Sequence, residues 1–449
     1  MKRNQNPVIQ KAHYFPLKGT ILYLRLLMDI LIRQARIIDP SSPFHLQQAG
    51  VFISAGIIKK IGSELPQTAD TVIDQPNLLL SPGWVDIFAH FCDPGQEFNE
   101  TLETGASAAA AGGFTDVFLL PNTSPVVHSK GPVEYIVQRS ISLPINLHPI
   151  AAVTKAAEGK ELSEMYDMHA SGAVAFSDGL NSIQSPGLLL KALQYLKAID
   201  KTIIQLPDDK SINPNGLMHE GIISTQLGLP GRPAIAEELM VARDIELLKY
   251  SDSKIHFTGV STAKSVALIR EAKTSGLQVS CSVTPYHLFF TDEDLSDYDT
   301  NLKVNPPLRT AADKKALQEA VLDGTVDCIA SHHLPHHIDH KVIEFEYAKA
   351  GMIGLQTAFA VVQTAIPQLS IERLVELFAT TPRKLFGLPD ATITEGAVAS
   401  VTLFQNNAPW TFSKDANRSR SHNSPFFDKP LTANPVGIIN KGGVFLTTD

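Results

Sequence analysis

Residues 82–95 read Pro82-Gly83-Trp84-Val85-Asp86-Ile87-Phe88-Ala89-His90-Phe91-Cys92-Asp93-Pro94-Gly95. An apolar run held between two Pro-Gly pairs has the pattern of a strand bounded by turns. On a strand, residues i and i+2 face the same side, so Phe88, His90 and Cys92 look one way. Two histidines at that spacing can hold one zinc ion. Here only His90 is a histidine, and the residue two places before it is a phenyl ring that cannot ligate a metal.

Working outward, the pattern changes on both sides of this stretch. From Pro82 to about Leu388, apolar strands alternate with helical segments. Examples are Thr115–Leu120 after the Ala-rich helix Thr104–Ala111, then Val174–Phe176, Ile203–Gln205, Ile255–Phe257, Val279–Val283 and Cys328–Ala330. Eight or so such units over roughly 300 residues predict a (β/α)₈ TIM barrel over 82–388, with functional residues at the strand C-termini. Before it, short β-rich runs at Ile30–Ile32, Ala35–Ile38, Val51–Ile53, Ile57–Ile61 and Thr71–Ile73 are separated by turn signals. After Glu395-Gly396 short strands return, including Val401–Phe404 and Val444–Thr447. The two ends, 28–81 and 389–449, are expected to pair into one small β-sandwich.

A chain of 449 residues with 44% apolar and 19% charged content suits an ordinary globular protein. Its net charge of −8 argues against nucleic acid and anionic membranes as partners. Cys92, Cys281 and Cys328 form no CxxC pair and no disulfide framework, so a reducing cytoplasm is expected. Residues 1–27 carry five positive charges and no acid, and the apolar run Ile21–Leu27 is interrupted by Arg25. That run is too short to span a membrane and poor as a signal peptide. A disordered extension is the expectation there.

The stretch 82–95 resembles the first-strand signature of the dihydroorotases, within the cyclic amidohydrolases. There Pro-Gly, a two-residue spacer and Asp lead into His-x-His, then Arg and a further Pro-Gly. The resemblance runs through Glu103-Thr104-Gly105, Ala110-Ala111-Gly112-Gly113-Phe114-Thr115, Pro121-Asn122-Thr123, Lys303-Val304-Asn305-Pro306-Pro307-Leu308-Arg309 and Gly351-Met352-Ile353-Gly354-Leu355-Gln356-Thr357. It covers nearly everything after Met28. It implies an enzyme that opens or closes a six-membered cyclic amide with zinc-activated water.

The same resemblance marks where this chain departs. Phe88, Leu206 and Gly259 stand at ligand-histidine positions of strands one, five and six. In Ala330-Ser331-His332-His333-Leu334-Pro335-His336, His332 replaces the catalytic Asp, leaving it a degenerate base position. His256 lies three residues before Gly259 and is expected on the opposite strand face. His90 and Asp178 remain as vestigial metal ligands, and Asn122, Asn305 and His336 as residual substrate contacts. Cys92 replaces an Arg that would pair with a substrate carboxylate, a loss of about 2–4 kcal/mol if nothing compensates. His332, His333, His336, His337 and His340 could bind a metal in a new arrangement, although exposed or inherited loop histidines are the plainer reading.

Two functions follow from the resemblance. One is a non-catalytic homologue in pyrimidine synthesis, a structural or regulatory partner of aspartate carbamoyltransferase or of an active dihydroorotase, with no tightly bound cofactor and self-association into a homodimer. The other is a divergent amidohydrolase with a rebuilt zinc site or a metal-free mechanism through Asp178, His332 or His336. A ligand sensor using the remaining pocket is a third, weaker reading.

Overall fold

The computed structural model describes residues 28–447, so the leader 1–27 lies outside the described residues. Eight parallel strands follow one another around a sheet in chain order. They are Trp84–Ala89, Phe114–Leu119, Asn146–Ala151, Ala175–Phe176, Ile203–Gln205, Ile255–Phe257, Val279–Val283 and Cys328–Ile329. Strands buried on both faces read as near-continuous apolar runs, and the first two are buried throughout.

The chain just past strand eight nearly closes the barrel onto strand one. His90 donates its backbone N–H to the His333 carbonyl at 2.9 Å, and His333 bridges Ala89 in parallel. Asp86 reinforces the seam by accepting from the Ser331 N–H at 2.6 Å and its hydroxyl at 2.8 Å. Strand one is irregular between Asp86 and Ala89. Ile87 and Phe88 therefore both join the cluster filling the barrel, with Val85, Phe118, Ile150, Ile204 and Ala330.

Both chain ends contribute to a second, separate eight-stranded sheet. Its middle is the antiparallel pairing of Leu79–Pro82 with Val401–Gln405. The runs Ile30–Ile32 and Ala35–Ile38 merge there into one strand, Asp29–Ile37, with an irregularity between Ile32 and Ala35. Trp84, the first residue of barrel strand one, packs at 5.0–5.3 Å against Phe359, Phe378 and Phe404, tying the sheet to the barrel. Among the described residues no helix is long and apolar enough to cross a membrane.

Candidate functional site at the barrel mouth

The C-terminal ends of the strands bring Phe88, Leu206, Gly259 and His332 into one cluster. The Phe88 and His332 rings lie 4.4 Å apart between centroids and 31° from parallel. Gly259 has φ +66, and a Cβ there would stand 2.6 Å from Cε1 of His332 and 3.2 Å from Cδ1 of Leu206. The His332 ring thus fills the space that any side chain at 259 would need.

His332 is anchored from below. Its Nε2 lies 2.8 Å from the Thr258 hydroxyl, which in turn accepts from Ser282 at 2.9 Å. His256 completes the buried chain, with Nε2 3.0 Å from Ser282 and Nδ1 2.8 Å from Ser280. Strand six ends at Phe257, and the left-handed Gly259 breaks the alternation beyond it. His256 accordingly packs its ring toward the barrel filling, 5.6 Å from Phe386, with both nitrogens engaged. Burial holds both imidazoles neutral, lowering His332 and His256 to about 3.

His90 and Asp178 sit nearby, each already committed. The Cys92 N–H donates to His90 Nδ1 at 3.1 Å, so the other nitrogen carries the proton and donates to the Asn122 carbonyl at 3.1 Å. Burial lowers His90 to about 4. Asp178 accepts the Thr154 N–H on Oδ1 at 2.9 Å and its hydroxyl on Oδ2 at 2.5 Å. Burial raises its pKa, partly offset by those bonds. Burial likewise pushes the Cys92 thiol up, which makes it a poor nucleophile.

The three expected substrate contacts fall in different surroundings. Asn122 spans the ends of strands two and four, donating to the Asp178 carbonyl at 3.1 Å and accepting from the Leu180 N–H at 2.9 Å. Asn305 lines both a small cavity of about 170 Å³ above the Phe88–His332 stack and a larger one of about 750 Å³. Its Oδ1 accepts from Arg232 at 2.7 Å, and Arg232 also pairs with Asp208 at 3.1 Å. His336 faces a third cavity, with Nε2 2.9 Å from the Ala350 carbonyl.

The histidine run does not converge. His333 turns inward to Glu100 at 3.5 Å, while half-exposed His337 meets Asp339 at 3.2 Å. Thr154, Thr258 and Arg232, which hold Asp178, His332 and Asn305, are absent from the sequence-based candidates. Nothing local marks them, because each acts on a residue from another βα unit.

The match to known proteins agrees with this layout. A family model described as Dihydro-orotase-like matches residues 77–265. A protein named dihydroorotase from Pelotomaculum thermopropionicum is 40% identical over 422 residues, 93% of this chain and 99% of that protein. One from Syntrophus aciditrophicus is 37% identical over 428 residues, 94% of this chain and all of the relative. The chain belongs to the dihydroorotase family. L-Hydantoinase (dihydropyrimidinase) from Arthrobacter aurescens superposes with a TM-score of 0.80 at 24% identity, covering 93% of this chain and 96% of its own. That likeness speaks to the fold alone.

In this dihydroorotase-family chain the residues at the strand ends do not fit zinc. A catalytic zinc takes about three protein ligands with free lone pairs. Phe88, Leu206 and Gly259 have no side-chain donor. The lone pair of His90 Nδ1 is taken by Cys92. Asp178 accepts one bond from Thr154 on each oxygen and keeps a lone pair on both, which makes it a single ligand where about three are needed. Among the described residues, no group of three or more His, Cys, Asp or Glu side chains is placed to hold a metal ion.

Proposed function

We propose that this dihydroorotase-family protein acts in de novo pyrimidine biosynthesis without carrying out the family's zinc chemistry. In this reading it is a structural or regulatory partner of aspartate carbamoyltransferase or of an active dihydroorotase. One observation carries the loss of chemistry. The substituted positions are in contact with one another, Phe88 stacked on His332 at 4.4 Å and His332 lying over Gly259 beside Leu206. A ligand set eroded piecemeal would leave a hole, whereas this one has been repacked. Without a metal to acidify it, water has a pKa near 15.7 and is a poor nucleophile at neutral pH.

The test is metal analysis of protein purified without added zinc, together with assays of dihydroorotate formation and hydrolysis. Less than stoichiometric zinc and no turnover are expected. Two equivalents of zinc, or zinc-dependent turnover abolished by His90→Ala, would end this reading. One equivalent lost on His332→Ala or His336→Ala would favour a rebuilt site. Restoring Phe88→His and Cys92→Arg together leaves the protein inactive, because positions 206, 259 and 332 still lack ligand and base.

The partner assignment rests on family analogy and on the retention of a complete barrel and end sheet around an altered site. We place the protein in the cytoplasm as a homodimer on the same footing. Co-purification at native expression level, followed by sizing of the complex, tests it. A chain that runs alone, and whose deletion leaves carbamoyltransferase assembly and growth without pyrimidines untouched, would rule the partnership out.

A further inference from the structure

A cavity of about 470 Å³ opens beside the barrel mouth, between the loop after strand eight and the segment 414–423. None of Phe88, Leu206, Gly259 or His332 lines it. Its wall carries Lys341, Lys414 and Arg420 with His336, His337 and His422, and no acidic residue is among the described residues lining it. The carboxylates around it lie outside the lining: Asp339, 82% exposed, meets His337 at 3.2 Å, and Asp299 acts on Lys341 through its charge. This runs against the acidic balance of the chain as a whole, at −8.

Two further features give the cavity a direction. On its inner side, the Nδ1 of His336 is buried with no hydrogen-bond partner among the described residues, although unpaired buried nitrogens are uncommon. Lys341 is buried there too, and its ammonium meets the carbonyls of Lys349 at 2.8 Å and Gly351 at 3.0 Å, which leaves its charge uncompensated by a carboxylate bond. Burial lowers it to about 7, so an anion beside it would restore its full charge. The backbone N–H of Arg420 donates to the buried Glu100 carboxylate at 3.0 Å, while among the described residues neither its guanidinium nor the Lys414 ammonium is paired with one. At the entrance stand three exposed apolar side chains, Phe98 at 51%, Ile338 at 62% and Val342 at 75%. One buried cation, Lys341, two exposed ones, Lys414 and Arg420, and an aromatic ring at the lip suit a ligand with an anionic head and a flat body. The volume lies within the range of small-molecule sites.

We propose that this cavity binds a phosphate ester of mononucleotide size, its phosphate held by Lys414, Arg420 and Lys341 and its planar body resting on Phe98. Arg–phosphate pairs are among the stronger charge-assisted contacts, and stacking on an aromatic face is tolerant of which base is present. The leader 1–27, with five positive charges and no acid, is excluded as an occupant by charge. Binding here is independent of whether the strand ends retain any turnover, so either can fail alone.

Calorimetric titration of the full chain with UMP, AMP and inorganic phosphate tests it, with an acidic Glu-rich peptide as the competing class. One equivalent of mononucleotide is expected to bind, displaced by phosphate at higher concentration. The Lys414→Ala/Arg420→Ala double variant should weaken it at least tenfold with an unchanged melting temperature. Phe98→Ala should weaken the mononucleotides several-fold while leaving inorganic phosphate as it was. Absence of binding at millimolar mononucleotide, or binding unaffected by the double variant, overturns the proposal. Binding of the peptide alone also overturns it, in favour of a protein partner.

Discussion

Gly259 is the residue on which the barrel mouth turns. With φ +66 and a virtual Cβ 2.6 Å from the His332 ring, it accepts no side chain while that ring is present. Reintroducing the family's histidine there meets both backbone strain and overpacking, together costing more than about 2 kcal/mol. His332→Asp removes the ring, opens space over Gly259 and leaves Thr258 without its partner at 2.8 Å, for about 2–4 kcal/mol. Because the two positions compete for one volume, the double variant should be less destabilised than the sum by at least about 1 kcal/mol. Urea denaturation of the two single variants and the double variant measures this, and strict additivity would show that the contact does not couple them. The sequence names each replacement singly. That Phe88, Leu206, Gly259 and His332 touch was not legible, since four separate βα units supply them.

Among the elements, legibility followed periodicity. Apolar strands alternating with helices gave the barrel, because parallel strands buried on both faces leave a signal at every position. The runs Val174–Phe176 and Cys328–Ala330 shorten in the structure to two-residue strands, Ala175–Phe176 and Cys328–Ile329. The first barrel helix begins at Leu102, two residues before the expected Thr104, because Thr101 caps it and Thr104 bonds back. A Thr in place of the usual Glu or Gln three residues after the cap weakens that signal. The irregularity at Asp86–Ala89 left no trace in the sequence, yet it turns Phe88 into the barrel. The seam it adjoins is testable. Ser331→Ala deprives the buried Asp86 carboxylate of a 2.8 Å bond and should lower stability by about 1–3 kcal/mol, read from the urea midpoint. A shift within error would mean that the backbone bridge through His333 closes the barrel unaided.

At the scale of the whole molecule, the buried imidazoles set how the fold meets acid. Burial lowers His90 and His219 to about 4, and His256, His287, His332 and His336 to about 3, against 6.5 for an ordinary histidine. As pH falls below 6.5 the unfolded chain protonates these six groups while the folded chain does not. Unfolding therefore takes up protons, and stability drops with falling pH. Asp86 and Asp244 oppose this, since burial raises both to about 6 from 3.8 and the folded state binds their protons first. Other buried carboxylates pushed upward, Asp178 among them, subtract further. The histidines outnumber the two large carboxylate shifts three to one, so the balance between pH 6.5 and 4 remains net proton uptake on unfolding. The melting temperature should fall across that window, and calorimetry in buffers of differing ionisation enthalpy should register the uptake directly. His332→Phe keeps a ring against Phe88 but removes one titrating group, which should reduce the uptake near pH 5 by about one proton. A melting temperature that is flat or rising towards pH 4 would mean that the raised carboxylates outweigh the histidines, and an uptake unchanged in His332→Phe would mean that the imidazole at the barrel mouth is already charged in the folded protein. The repacked, neutral plug proposed for the strand ends would then be wrong.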